Sequence, residues 1–110
     1  MKIDICREYT DTPGGRYKDQ GEFSGEDFRE KILKPKYIEA INKNEILEID
    51  LDGGYGYGSS FLEEAFGGLI RELDDNYQNA LEIIKLKSDD EPGLVDDIKK
   101  YIIEAIKLKK

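Results

Sequence analysis

The 110-residue chain contains no histidine and a single cysteine. Without histidine there is no Ser-His-Asp triad and no imidazole to activate a thiol, which excludes both forms of nucleophilic catalysis. Cys6 alone cannot form an internal disulfide, so a reducing cytoplasm fits best. No apolar run approaches the roughly 20 residues that a membrane span needs, and the first residues are charged where a signal peptide needs an apolar core. We expect a soluble, cytoplasmic protein.

Basic residues are also scarce. The chain has 17 Lys and Arg against 25 Asp and Glu, a formal net charge of -8. Between Glu45 and Asp75 the only basic residue is Arg71. Binding to a phosphate backbone requires a basic face, so this distribution argues against nucleic acid as a partner. The length suits one domain over residues 1–110, with one modest core.

The stretch from Glu45 to Leu73 predicts a strand, a glycine-rich turn and a helix in succession. The strand is indicated by a run of aliphatic residues that ends before Asp52. Four glycines follow, at Gly53, Gly54, Gly56 and Gly58, and they supply the positive-φ freedom that a tight connection needs. Ser59 or Ser60 is then expected to cap the helix, because a serine oxygen accepts a hydrogen bond from a first-turn amide.

Helical spacing defines the two sides of this central helix. The predicted buried stripe consists of Leu62, Ala65, Phe66, Leu69 and Leu73, with Phe61 and Ile70 at its margins. The predicted solvent side carries Glu63, Glu64, Arg71 and Glu72. Gly67 and Gly68 cost about 1 kcal/mol each inside a helix, so another element is expected to approach closely there. We expect the sheet or a neighbouring helix rather than a partner protein.

The remaining segments complete an alternating α/β order. The pattern predicts a strand over Lys2–Arg7, a short second strand at Gly15–Tyr17 and a helix from Gly25 with Ser24 as its cap. Pro35 predicts a break or kink near Lys34. The later elements are a strand over Ala80–Lys87 and a last helix capped by Asp89 or Asp90, with Lys107, Lys109 and Lys110 near its end. Strands joined through helices are expected to be parallel.

Familiar ligand motifs are incomplete in this sequence. A Walker loop needs Gly-Lys before its serine, but Gly58 directly precedes Ser59, and a dinucleotide fingerprint needs glycine at Phe61. Gly54, Tyr55 and Phe61 also occupy positions where a calcium loop needs other residues. We therefore expect no enzyme activity, no cofactor and no metal. Tyr55 and Tyr57 suit either an interface or the edge of the core.

Two runs of residues resemble a known family. They are PGGRYKDQGEFSGEDFRE, residues 13–30, and DLDGGYGYGSSFLEEAFGGLIRE, residues 50–72. With them the chain resembles the STAS-like domains of bacterial and phage proteins, long catalogued as a domain of unknown function (DUF4325 type). This resemblance implies an α/β (α+β) fold with a small mixed, mostly parallel sheet of about four strands and helices packed against it.

The second run is also similar to the STAS fold of anti-sigma factor antagonists, in which a phosphorylatable serine begins the helix. Ser60 matches that serine and Leu62 the leucine that follows, whereas Gly58 and Phe61 depart from the motif. The resemblance implies a non-catalytic regulatory module whose partner is an ATP-binding protein of the histidine-kinase-like ATPase type.

Two functional hypotheses follow. The first is a phosphorylation switch that binds a protein partner through the surface from Tyr55 to Glu64. Its residues are the phospho-acceptors Ser60 and Ser59 and the partner contacts Tyr55, Gly56, Tyr57, Gly58, Phe61, Glu63, Glu64 and Gly67. The alternative is a small-ligand or nucleotide sensor that uses the amides of Ser59 to Phe61 as an anion site.

Overall fold

A three-stranded parallel sheet forms the base of the structure, a computed structural model that describes residues 1–109. The strands are β1 (Lys2–Asp4), β2 (Leu47–Asp50) and β3 (Ile84–Lys87), adjacent in that order. In register, Ile3 lies beside Ile49 and Ile49 beside Leu86. The predicted α/β class is confirmed. The expected count of about four strands is corrected to three among residues 1–109, all of them parallel.

Two long helical segments connect the strands. The first long helix runs without interruption through Gly25–Phe28, a π-helical turn at Arg29–Leu33, and Lys34–Lys43. The central helix runs through Ser59–Leu62, a second π-helical turn at Glu63–Gly67, and Gly68–Glu72. The last helix spans Gly93–Lys109, and single turns occur at Ile5–Glu8, Lys18–Gln20 and Ala80–Ile83.

The sheet has one apolar face and one charged face, as strand alternation requires. Its apolar residues Ile3, Leu47, Ile49 and Ile84 are buried in the same core as the helix side chains Phe28, Phe61, Phe66, Leu69 and Ile98. The opposite face carries Lys2, Asp4, Glu48, Asp50, Lys85 and Lys87. Asp50 lies 3.9 Å from the Lys2 ammonium and 3.7 Å from that of Lys87, so opposite charges alternate on this face.

The N-terminal region departs from its predicted strands. The strand predicted over Lys2–Arg7 ends at Asp4, because the Asp4 carboxylate caps a helical turn by accepting a hydrogen bond from the Arg7 amide at 3.3 Å. No strand forms at Gly15–Tyr17. Its carbonyls accept instead from the first helical amides, Gly15 from Gly25 at 2.9 Å and Arg16 from Glu26 at 3.0 Å.

The first long helix begins as predicted but does not break. The Ser24 hydroxyl accepts from the Asp27 amide at 3.0 Å, so helix start and cap are both confirmed. Pro35 lies in the first turn of the Lys34–Lys43 segment, directly after the π-helical turn. Within the continuous helix Pro35 lacks the amide that would extend the hydrogen-bond ladder, and the wider π-helical turn before it accommodates this loss without a break. The expected break near Lys34 is therefore a change of helix type.

The C-terminal third shows two further differences. Only Ile84–Lys87 of the predicted strand is extended, since Ala80–Ile83 forms a helical turn with Ala80 buried. The last helix begins at Gly93, directly after Pro92, so the prediction that Asp89 or Asp90 caps it is wrong. Lys107 and Lys109 occupy its last turn as expected, and Lys110 lies outside the described residues. Across residues 1–109, no helix combines the length and apolarity of a membrane span.

We predict that Phe66→Ala destabilises the fold by about 3 to 5 kcal/mol, because the ring is fully buried and its loss leaves a cavity. Tyr55→Ala is the matched control, since the Tyr55 side chain is exposed and its removal leaves no cavity. Urea unfolding followed by circular dichroism measures both. Equal midpoints for the two variants would mean that the assigned helix face is not the buried one.

Candidate functional site

The glycine-rich loop follows β2 at the carboxyl edge of the sheet, and its two tyrosines differ in environment. Tyr55 is 85% exposed. Tyr57 turns inward, donating its hydroxyl to the Leu51 carbonyl at 3.0 Å and packing its ring 5.9 Å from that of Phe61. Burial raises the pKa of Tyr57 above its usual value. Of the two roles considered, Tyr55 therefore suits an interface and Tyr57 the edge of the core.

Two glycines of this loop lie against the N-terminal segment, where Gly53 is required by its positive φ and Gly54 by the close approach of the backbone. Gly53 has φ +97°, and a Cβ there would lie 3.4 Å from the Cys6 sulfur. A Cβ on Gly54 would lie 3.0 Å from the Asp11 carbonyl oxygen, which accepts from the Tyr55 amide at 2.9 Å. These contacts fix the backbone on both sides of the loop and leave the Tyr55 side chain outside.

The start of the central helix corrects the predicted cap. Gly58 is the N-cap, with extended backbone, so Ser59 and Ser60 are the first two helical residues and neither caps the helix. As a glycine, Gly58 has no side chain with which to cap the first-turn amides. Both serine side chains are exposed. They are therefore accessible, as a phospho-acceptor has to be.

Three of the predicted partner contacts lie inside the protein. Phe61 is fully buried and stacks on Phe28 with ring centroids 5.9 Å apart, and Glu64 and Gly67 are also buried. The expectation that these residues contact a partner is corrected, because their side chains support the surface from beneath. Gly56 and Gly58 remain exposed, and Glu63 is half-buried at the border.

Beneath this surface, a buried ion pair joins the first long helix to the central helix. The Arg29 guanidinium is only 5% exposed and the Glu64 side chain 11%. Arg29 Nη1 donates to Glu64 Oε2 at 2.6 Å and to the Glu64 carbonyl at 2.7 Å, while its Nε lies 3.2 Å from Glu72 Oε1. The Arg29 charge is thus held between two carboxylates and one backbone oxygen.

Glu63 extends the same network toward the surface. Arg71 Nη1 donates to its Oε2 at 2.8 Å, and Arg16 Nη1 donates to its Oε1 at 2.5 Å. These hydrogen bonds, that of Arg71 first, lower the pKa of Glu63. Arg16 Nη1 also lies 3.4 Å from Glu64 Oε1, so the two neighbouring glutamates reach one guanidinium. The solvent side predicted for this helix is therefore wrong at Glu64, which is buried, and only partly right at Glu63, which is half-buried. Arg71 and Glu72 are exposed as predicted.

The close approach predicted at the glycine pair is confirmed at Gly68, where the approaching group is Arg29 of the first long helix, whereas Gly67 meets side chains of its own helix. A Cβ on Gly68 would overlap the Arg29 guanidinium, and one on Gly67 would lie 2.5 Å from Glu63 Oε2. Gly68 has ordinary helical backbone, with φ -61°. The absence of a side chain at position 68 therefore makes room for a buried charge from the neighbouring helix.

Asp52 is a structural residue that the sequence interpretation missed. Its carboxylate accepts from the Asp89 amide at 3.0 Å, the Asp90 amide at 2.9 Å and the Lys87 ammonium at 2.9 Å. These bonds, led by the one from Asp90, lower the pKa of Asp52 to about 2. The available signal was the position of aspartates directly after two parallel strands, whose carboxyl ends meet at one edge.

We predict that Glu64→Ala destabilises the protein by about 3 to 5 kcal/mol, because it leaves the buried Arg29 charge without its main partner. Glu63→Ala is the control, and its more exposed ion pairs should contribute about 1 kcal/mol or less. Urea unfolding of both variants gives the comparison. A larger loss for Glu63→Ala would contradict the assignment of Arg29–Glu64 as the main pair.

The lowered pKa of Asp52 predicts a pH dependence of stability. Its carboxylate favours the folded state above the unfolded pKa of about 3.8, and this contribution is lost as the pH falls through about 2. Asp52→Asn should therefore be less stable than the native sequence at pH 7, with the difference shrinking between pH 4 and pH 2. Urea midpoints across this range measure it, with the exposed Asp97→Asn as control. A constant difference would contradict the prediction.

Comparison with known proteins places these features in a family. The sequence model of the STAS-like domain of unknown function (DUF4325) matches residues 24–94, more than half of the chain. The matched region contains the glycine-rich loop, the whole central helix and both partners of the Arg29–Glu64 pair. No curated protein and no solved structure shows a significant match. The chain belongs to the family of STAS-like domains of unknown function.

Proposed function

We propose that the chain is a non-catalytic regulatory module that binds a partner protein through the exposed part of the glycine-rich loop and the start of the central helix. The observation that carries this proposal is the 85% exposure of Tyr55, a large aromatic side chain held outward by a loop with a fixed backbone. Tyrosine is enriched in protein interfaces, where it contributes large contact area at low entropic cost.

The proposed surface is smaller than the sequence indicated. It consists of Tyr55, Gly56, Gly58, Ser59 and Ser60, with the edge of Glu63 at its border. The Arg16 and Arg71 bonds hold Glu63 in place. The surface is thus supported by a rigid base, and a partner would meet it with little rearrangement.

For the partner, the family resemblance points to an ATP-binding protein of the histidine-kinase-like ATPase type, with Ser60 as the residue it would phosphorylate. The position supports this, because a phosphate on the exposed second residue of a helix lies next to free amides and the positive end of the helix dipole. The fold would tolerate the new charge. Docking would be opposed instead, by repulsion and by the cost of desolvating a dianion.

We predict that Tyr55→Ala and Ser60→Asp each weaken partner binding without lowering the thermal midpoint, and that Ser60→Ala binds constitutively. Gln78→Asp is the charge-matched control, because it adds one negative charge at an exposed site beyond the other end of the central helix. Pull-down from the native host with mass spectrometry identifies the partner, and biosensor titration gives the affinities.

Intact-mass analysis after incubation with the partner ATPase and ATP tests the switch directly. The expected result is a single added phosphate that is absent from Ser60→Ala. If no phosphate appears and Ser60→Asp binds as tightly as the native sequence, Ser60 is not a switch. Unchanged binding by Tyr55→Ala would remove the loop from the interface.

One observation favours the alternative of a small-ligand or nucleotide sensor. Gly58 caps the central helix without a side chain, so the amides of the exposed residues Ser59 and Ser60 remain available to an anion, whereas Phe61 is fully buried. Calorimetry with ATP, GTP and inorganic phosphate separates the two hypotheses. Heat of binding that disappears in Ser60→Asp would favour the sensor.

A further inference from the structure

A cleft of about 150 Å³ lies between the glycine-rich loop and the connection from β3 to the last helix. Its floor includes the buried side chains of Leu51 and Leu94. Tyr55 lines one side, and Asp90 and Glu91 line the other. The cleft therefore combines an apolar floor, an exposed aromatic ring and two carboxylates.

The two walls of the cleft are bonded to each other. The Asp52 carboxylate in the loop accepts from the amides of Asp89 and Asp90 in the connection. In return, the Gly53 amide donates to Asp90 Oδ2 at 3.1 Å. These reciprocal bonds keep the cleft open without a ligand, so an incoming group does not have to separate the walls.

The charge of the cleft is negative and uncompensated. Asp90 and Glu91 are exposed, and neither forms an ion pair with any other residue in the range 1–109. Lys87, on the adjoining strand, is already shared by Asp50, Asp52 and Asp89. An anion would be repelled here, whereas a cation would gain both carboxylates and the face of Tyr55.

We propose that this cleft receives one Lys or Arg side chain from a basic segment of a partner protein. A volume of about 150 Å³ suits a single side chain and falls below the roughly 300 Å³ at which small-molecule sites begin. The aliphatic stem packs on Leu51 and Leu94, the cation lies over Tyr55, and Asp90 and Glu91 neutralise it. This inference rests on the proposed function and specifies the chemistry of the partner.

The test is a titration of the ¹⁵N-labelled protein at low ionic strength with the capped tripeptide Gly-Arg-Gly, and separately with Gly-citrulline-Gly. Citrulline has nearly the shape of arginine without its charge. The arginine peptide should shift the amide resonances of Tyr55, Gly56 and Ser88 to Glu91, and the citrulline peptide should not. Equal shifts from both peptides, or shifts spread over all acidic surfaces, would overturn the proposal.

Variants locate the binding. Asp90→Asn with Glu91→Gln, and separately Tyr55→Ala, should each weaken the arginine peptide about two- to fivefold, the range expected for an exposed cation–π or ion-pair contact. Asp74→Asn with Asp75→Asn removes the same charge at the far end of the central helix and should change nothing. If both double variants weaken binding equally, the net charge of the protein explains the effect and the proposal is overturned.

The outcome is separable from that of the proposed function. If the partner binds through Tyr55 but Asp90→Asn with Glu91→Gln leaves its affinity unchanged, the proposal of a basic side chain in the cleft is refuted and the proposed function stands. If the arginine peptide binds in the cleft but no partner is captured through Tyr55, the cleft is a site for a basic side chain and the proposed function is refuted.

Discussion

The buried contact between Arg29 and Glu64 is the constraint on which the arrangement of the two long helices depends. A buried ion pair is a weak source of net stability, because desolvation offsets most of the attraction, but removing one partner leaves a costly unpaired charge. Both residues lie in π-helical turns, which are rare and occur mostly as single turns within α-helices. We infer that the pair fixes the register of the two helices, and with it the position of the Ser59–Leu62 turn.

The same constraint explains why the surface has so few residues that a partner could contact. Glu63 and Glu64 are drawn inward by Arg16, Arg29 and Arg71, so the helix offers only its first turn to solvent at this end. The glycine-rich loop then provides the rest of the surface. Its backbone is fixed by Asp11 and Asp52, and Tyr55 alone projects from it.

Much of the fold could be predicted from the sequence, because it depends on local periodicity. The central strand, the buried stripe of the central helix and the Ser24 cap all follow from patterns a few residues long. The strand ends were mispredicted, since the helical turns that follow Asp4 and begin at Ala80 are only four residues long and too short to show a helical period. The short edge strands of a small sheet contain too few residues for their alternation of apolar and polar side chains to define where they end.

The candidate site was less predictable, for a different reason. Periodicity assigns every glutamate to the solvent side, but Glu64 is paired with an arginine 35 residues away, and no local pattern reveals such a contact. The π-helical turn also brings two adjacent side chains to one guanidinium, which ideal α-helical geometry would separate. The glycine pair was the one visible sign, because it indicated a close approach without naming the approaching group.

Gly68 and Arg29 therefore constrain each other, so that a substitution at one position affects which residues the other can hold. A methyl group at position 68 would displace the guanidinium of Arg29 from its observed place, although the helix backbone itself would accept alanine there. A chain that replaces Arg29 by a shorter side chain is released from this requirement, because alanine at position 68 would then meet no guanidinium. The two positions are therefore expected to vary together among relatives, with glycine at position 68 wherever position 29 is arginine.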